Sequence, residues 1–142
     1  MKEFPFYKQV NNKDCGMTCL RMIAKYYGKS SDILTISSLT KAHPKSMSLL
    51  QLKSNAESLG LKTSASRVPV NYLGKIDLPV ILHWNRNHFV ILFEVDKNSY
   101  HIADPARGVL ILTQQELIPH WKDEEYTTKN GGIVLGFSDL KL

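Results

Sequence analysis

The amino-acid order predicts an α+β domain in which helices come first and a mostly antiparallel sheet follows. Two features of the pattern carry this prediction. As far as Gly60, apolar residues recur every three or four positions, the period of a helix with one buried face. Beyond Gly60 the period changes to short alternating or wholly apolar runs of strand length, separated by turn residues. The length agrees: 142 residues is an ordinary size for one domain with a real core. No internal repeat or linker divides the chain, so residues 1–142 are read as a single unit.

The first ten residues, with Pro5 and several aromatics, read as extended. Asn11, Asn12, Lys13 and Asp14 make a polar turn, and Asp14 is a candidate N-cap. From Cys15 to Tyr27 the residues Cys19, Leu20, Ile23, Tyr26 and Tyr27 fall at helical spacing, and Gly28 is a natural stop. A short helical segment is expected between residues 32 and 41. Another helix opens at Ser46 or Ser48 and ends at Gly60, with Leu49, Leu52, Ala56 and Leu59 as its buried stripe. The strands then follow as LKTSASRV, PVILHW, HFVILFEV, YHIAD, GVLIL and GGIVLGF, with Lys97 and Asn98 in a turn. TQQELIPHW reads as a short helix capped by Thr113.

The composition, 43% hydrophobic and 22% charged, is that of a globular protein. The formal net charge of +5 comes from scattered Lys and Arg, with no dense basic stripe to mark a nucleic-acid groove. The most apolar segment, Phe89 to Val95, has strand length, and no run reaches the roughly 20 apolar residues of a membrane span. The N-terminus, MKEFPFYKQV, has no signal-peptide pattern, so a soluble chain in a reducing compartment is expected. The two cysteines, Cys15 and Cys19, lie one helical turn apart, which suits neither a disulfide framework nor a metal site.

A reactive cysteine needs its thiolate, and the N-terminal end of a helix favours that form through unpaired N–H groups and the helix dipole. Cys15 follows a candidate cap and precedes Gly16, which would leave the sulfur uncrowded. Cys19, one turn deeper among apolar neighbours, reads as a buried structural thiol. The bland alternative for Cys15 is that it too is simply packed.

Five histidines compete for the part of base. His43 precedes Pro44 in a polar loop, His83 lies inside an apolar strand, His101 is near a turn, and His120 follows Pro119. His88 differs, because the polar run Asn85-Arg86-Asn87 precedes it and a strongly apolar strand follows. Such a residue faces a cleft while its strand holds it rigid. The hairpin at Lys97 and Asn98 would return Asp104 to the same end of the sheet. A one-residue slip, however, would turn the two side chains to opposite faces. The alternative for Asp104 is an Asp-Pro turn without a role. Gln9, just upstream of Cys15, carries an amide able to donate to a developing oxyanion, although a lone glutamine signifies little.

Taken together, Gln9, Asp14-Cys15-Gly16, His88-Phe89-Val90 and Ala103-Asp104-Pro105 resemble the bacteriocin-processing, double-glycine leader peptidase domain of bacterial peptidase-containing ABC transporters. This is a papain-like cysteine protease family, and the resemblance covers nearly the whole chain. It implies Cys15 as nucleophile, His88 as general base and then acid, Asp104 as orienting acid, and Gln9 with the Cys15 N–H as oxyanion hole. It further implies cleavage after Gly-Gly or Gly-Ala in the leader of a ribosomally made peptide, at the cytoplasmic face of the membrane. The partners would be that leader and the transporter's membrane and ATPase portions, which carry the ATP chemistry. No cofactor or metal is expected in these residues. Two other readings stand beside it: a peptidase-like module that only binds secretion substrate, and an unrelated papain-type hydrolase or transferase.

Overall fold

The computed structural model describes residues 3–10, 14–29, 47–123 and 130–139, so the helical segment expected between residues 32 and 41, together with His43 and Ser46, lies outside them. Helix α1 spans Cys15–Tyr26 and buries Cys19, Leu20, Met22 and Ile23. It ends as its glycine predicts. Gly28 takes φ +69°, which only a residue without a Cβ adopts freely. The Gly28 N–H then reaches the Lys25 carbonyl at 3.1 Å and the Lys29 N–H reaches that of Ala24 at 2.9 Å. These two bonds satisfy carbonyls that the helix itself leaves open. Lys29 also pairs with Asp139 at 2.8 Å, fastening this end of the helix to the last strand.

Helix α2, Leu49–Ser58, begins at Ser48 with a reciprocal cap: the Ser48 hydroxyl accepts from the Gln51 N–H at 3.2 Å and Gln51 Oε1 from the Ser48 N–H at 2.8 Å. Leu52 and Ala56 are fully buried and Leu49 and Leu59 partly so. The stripe also takes in Asn55, whose amide donates to Met47 Sδ at 3.2 Å. Helix α3, Gln114–Trp121, uses the same device, with Thr113 and Glu116 as reciprocal partners.

The strands are β1 (Leu61–Val68), β2 (Val80–Trp84), β3 (His88–Asp96), β4 (Ser99–Asp104), β5 (Gly108–Leu112) and β6 (Gly132–Asp139). They form a six-stranded sheet in the order β1-β6-β2-β3-β4-β5, antiparallel at every pairing. The closing strand thus enters the middle, between β1 and β2, a placement that the order of elements did not foretell. A 3-10 turn over Val70–Tyr72, also not foreseen, precedes β2.

Helices cover both faces. On one, α1 and α2 pack against Ile81, Phe89, Ile91 and Leu135. On the other, Leu117 and Trp121 of α3 meet Val80, Leu82, Val90, Leu92 and Val134. Strands β2 and β3 are therefore apolar without alternation because both of their faces are buried. Trp121 fixes α3 in place by donating its indole N–H to the Ile133 carbonyl at 3.0 Å.

A Cβ at Gly132 would run into the Trp121 carbonyl and indole ring, whereas one at Gly74 would meet Val95 Cγ1 at an ordinary 3.5 Å. Gly132→Ala is expected to cost about 1–3 kcal/mol in urea unfolding. Gly74→Ala should change stability by less than about 0.5 kcal/mol.

Candidate active site

Strand β3 carries His88 at its first residue and β4 carries Asp104 at its last, so the hairpin between them brings both to one rim of the sheet. Whether they meet is a matter of parity. Near the turn, Asp96 pairs with Ser99 and Glu94 with His101. Past it, Leu92 pairs with Ile102 and Ile91 with Ala103, so the ladder skips Phe93. Continued one step, this register puts Asp104 opposite Val90, on the same face as His88 two residues away. Without the skipped residue Asp104 would stand opposite Ile91, and His88 would point the other way. The bulge answers the register question that the sequence left open.

His88 Nε2 lies 2.7 Å from Asp104 Oδ1. The same oxygen accepts the Ala106 N–H at 2.9 Å, so the Asp-Pro-Ala turn supplies a second donor to a carboxylate that is only 2% exposed. An aspartate bonding a backbone N–H two residues on is a familiar turn signature. With Nε2 on Asp104, the ring nitrogen left open is Nδ1, and the Cys15 side chain lies close enough to this ring to favour its charged form.

Asp14 takes the N-cap position of α1, and its carbonyl accepts the Thr18 N–H at 2.8 Å. Its side chain makes no capping bond, unlike those of Ser48 and Thr113. Gly16 serves a different purpose from the one expected. A Cβ there would lie 3.2 Å from Leu52 Cδ2 and 3.3 Å from Met47 Cε, so its bareness lets α2 pack close and does not open space around the sulfur. Cys15 is in fact buried, 2% exposed. Cys19 behaves as read: it is fully buried and donates to the Phe89 carbonyl at 3.4 Å, and burial pushes its thiol well above its usual range, helped by the charges of Cys15 and Asp104.

A cleft of about 710 Å³ opens over His88 and Asp104, with Gln9 and the Met47–Leu49 segment on its walls. Gln9 is brought there by its own backbone, whose N–H donates to the Pro105 carbonyl at 2.9 Å. The β2–β3 hairpin loop, Asn85, Arg86 and Asn87, forms another wall, which the sequence marked only as a polar run before His88. Of the other described histidines, His83 is half-buried, stacks on Phe89 with ring centroids 5.2 Å apart and lines the cleft. His101 is buried edge-on to Phe93, and His120 stacks on Trp84.

Burial opposes a positive charge on His88. The hydrogen bonds to Asp104 and Cys15, with the charges of both, outweigh it and raise the ring to about 9. Asp104 is the converse. Burial pushes its carboxyl up, but the His88 bond, the Ala106 N–H and the charges of His88 and Arg107 hold it below its ordinary value.

A helix-borne cysteine facing a histidine and an aspartate from an antiparallel sheet defines the papain-like class of cysteine peptidase. Residues 3–130 match the Peptidase C39 family, and the chain belongs to it. It is 34% identical, over 98% of its own length, to a probable microcin secretion/processing ATP-binding protein of Escherichia coli. It is 32% identical, over 82%, to the colicin V secretion/processing ATP-binding protein of the same organism. It spans only 21% and 17% of those two proteins. Among solved structures it resembles a double glycine motif protease from an AMS/PCAT transporter, in complex with the leader peptide, at TM-score 0.83 and 26% identity, covering 96% of this chain and 92% of that one. The peptidase domain of Streptococcus ComA has the same fold, at TM-score 0.80 and 19% identity, covering 96% and 99%. Among the described residues, no helix is long and apolar enough to cross a membrane.

The pair links folding to pH at both ends. Because the folded His88 is raised, its contribution is complete below its ordinary 6.5 and is lost as pH rises through about 9. Because the folded Asp104 is depressed, its contribution is present above the ordinary 3.8 and is lost as pH falls through the lower folded value. Urea midpoints measured across pH should therefore fall at both extremes. Asp104→Asn should flatten the change between 6.5 and about 9.

Proposed function

We propose that this chain is a thiol endopeptidase that removes double-glycine-type leaders from ribosomally made precursor peptides, in concert with export by an ABC transporter. The observation that carries the proposal is the His88–Asp104 pair, 2.7 Å from ring nitrogen to carboxylate oxygen, with Cys15 at the mouth of α1 close enough to influence the ring. In this reading Cys15 attacks as the thiolate of an ion pair with the His88 imidazolium. The carbonyl of the last leader residue becomes a tetrahedral oxyanion, received by the Gln9 amide and the Cys15 N–H. His88 then gives its proton to the departing amine. In the second half-reaction His88 takes a proton from water, which releases the leader from the thioester. Asp104 fixes the tautomer and steadies the imidazolium.

The low exposure of Cys15 bears on specificity. A sulfur on a residue only 2% exposed admits a thin main chain more readily than one with side chains, which suits Gly-Gly or Gly-Ala before the cut. Two secretion/processing ATP-binding proteins of similar sequence, and a double glycine motif protease solved with its leader, support this substrate class. On the same grounds the transporter's membrane and ATPase portions are the proposed partners, and the cytoplasmic side of the membrane the proposed place. The acyl transfer itself calls on no cofactor, and ATP would act in the transporter portion. A purely binding module would have no use for a nucleophile at position 15, where this chain carries cysteine.

Mass spectrometry of a double-glycine precursor incubated with the protein should show a single cut after the second small residue. Cys15→Ala should abolish it while binding the leader nearly as well, and Cys19→Ala should retain most activity. Turnover by Cys15→Ala at the wild-type rate would overturn the assignment. Asp104→Asn should lower kcat more than it raises KM.

A further inference from the structure

The loop that delivers His88 adopts a conformation that it does not favour by itself. Asn85 and Arg86 have φ of +50° and +69°, the left-handed region. Asparagine tolerates that region, but arginine occupies it at a cost. Such a turn persists where its surroundings hold it.

The hold comes from the end of α3. Strand β2 ends at Trp84, and the Asn85 N–H donates to the His120 carbonyl at 2.7 Å. That carbonyl lies in the last turn of α3, where the helix provides no N–H partner of its own. In return, the His120 side chain meets Asn85: its Nδ1 lies 3.0 Å from Asn85 Oδ1, and since a side-chain carbonyl only accepts, Nδ1 carries the proton. The imidazole also lies flat on the Trp84 indole, with centroids 5.0 Å apart and planes 10° apart. Helix α3 is itself fastened to β6 through Trp121 and the Ile133 carbonyl. A continuous set of contacts thus runs from β6 through Trp121 and His120 to Asn85 and, three residues on, to His88.

We propose that His120 is a positioning residue for the reaction, clamping the β2–β3 hairpin so that His88 stands in line between Cys15 and Asp104. This rests on the peptidase reading above. His120 does not line the cleft. Its effect reaches the substrate only through the orientation of the His88 ring. A general base displaced by a fraction of an ångström loses rate with little loss of substrate binding.

Two variants test the clamp, with near-UV circular dichroism confirming the fold. His120→Ala removes both the ring stack and the side-chain bond. Asn85→Gly removes only the side-chain bond, and it relaxes the turn, because glycine is at ease at positive φ. Each is expected to lower kcat on a double-glycine precursor by roughly ten- to a hundredfold, with KM within about twofold of wild type. His120→Gln, whose amide can still donate to Asn85 Oδ1, should regain part of that loss. By ring-proton NMR, which needs no substrate, His88 should titrate below the wild-type value of about 9 in both variants. Wild-type kcat with an unshifted His88 in either folded variant overturns the clamp, as does a loss confined to KM. If His120→Ala does not fold, Asn85→Gly is read by the same outcomes. If the wild-type protein cleaves no double-glycine precursor, the peptidase reading falls and the titration alone decides. A lowered His88 in Asn85→Gly then supports the clamp, and an unshifted one rejects it.

Discussion

Antiparallel strands alternate their side chains with a period of two, so one extra residue decides which face a strand end presents. In this chain that residue is Phe93, which the β3–β4 ladder skips. Everything at the rim depends on the skip, since it turns Asp104 onto the face of His88. Phe93 is also where the N-terminal segment lands. The Phe4 ring stacks on it, with centroids 4.9 Å apart and planes 11° apart. Five residues on, Gln9 reaches the Pro105 carbonyl. The irregularity that sets the pair's parity is thus also an anchor for the segment that carries Gln9 past it.

The pair would be a liability without its surroundings. A buried carboxylate is costly unless its oxygens are met, and a half-buried imidazolium is costly without a counter-charge. Here each pays for the other: Asp104 receives His88 and the Ala106 N–H, and His88 is held between Asp104 and Cys15. One-sided removal leaves an unmatched group inside. The same balance explains the elevated value of the ring, because neutralising it would strand the carboxylate. A histidine kept charged beside a sulfur is a useful starting state for thiol chemistry, since the proton needed by a leaving amine is already in place.

Much of the fold was legible because each boundary had a local chemical cause. Gly28, Ser48 with Gln51, and Thr113 with Glu116 ended or began helices within one turn, so their signals needed no distant partner. The strand segments were legible by the loss of helical period. The order of strands was not, because the insertion of β6 between β1 and β2 is decided by which apolar faces find each other across more than fifty residues. The candidate site divides along the same line. Cys15 and His88 stood out by their flanking residues. The meeting of His88 with Asp104 turned on a bulge with no Gly or Pro to announce it, since Phe93 sits in an unbroken apolar run. Gly16 was misread for a related reason: its neighbour is Leu52 of another helix, which spacing within α1 could not reveal.

The two helical layers contribute different things to the rim, and neither suffices alone. From one face α1 brings the sulfur, packed closely enough against α2 that a methyl group on the glycine next to it would press on Leu52 at 3.2 Å. From the other, α3 grips the hairpin that ends in His88. The sheet between them carries Asp104 on a strand that touches both layers, with Ala103 in one core and Ile102 in the other. A relative shift of either layer therefore changes the distance from sulfur to imidazole while the imidazole–carboxylate bond, made within one hairpin, stays intact. The more fragile of the two contacts is the one that joins separate layers. Gly16 against Leu52 seats the helix that carries the sulfur, and Trp121 on the Ile133 carbonyl seats the helix that holds the hairpin of His88.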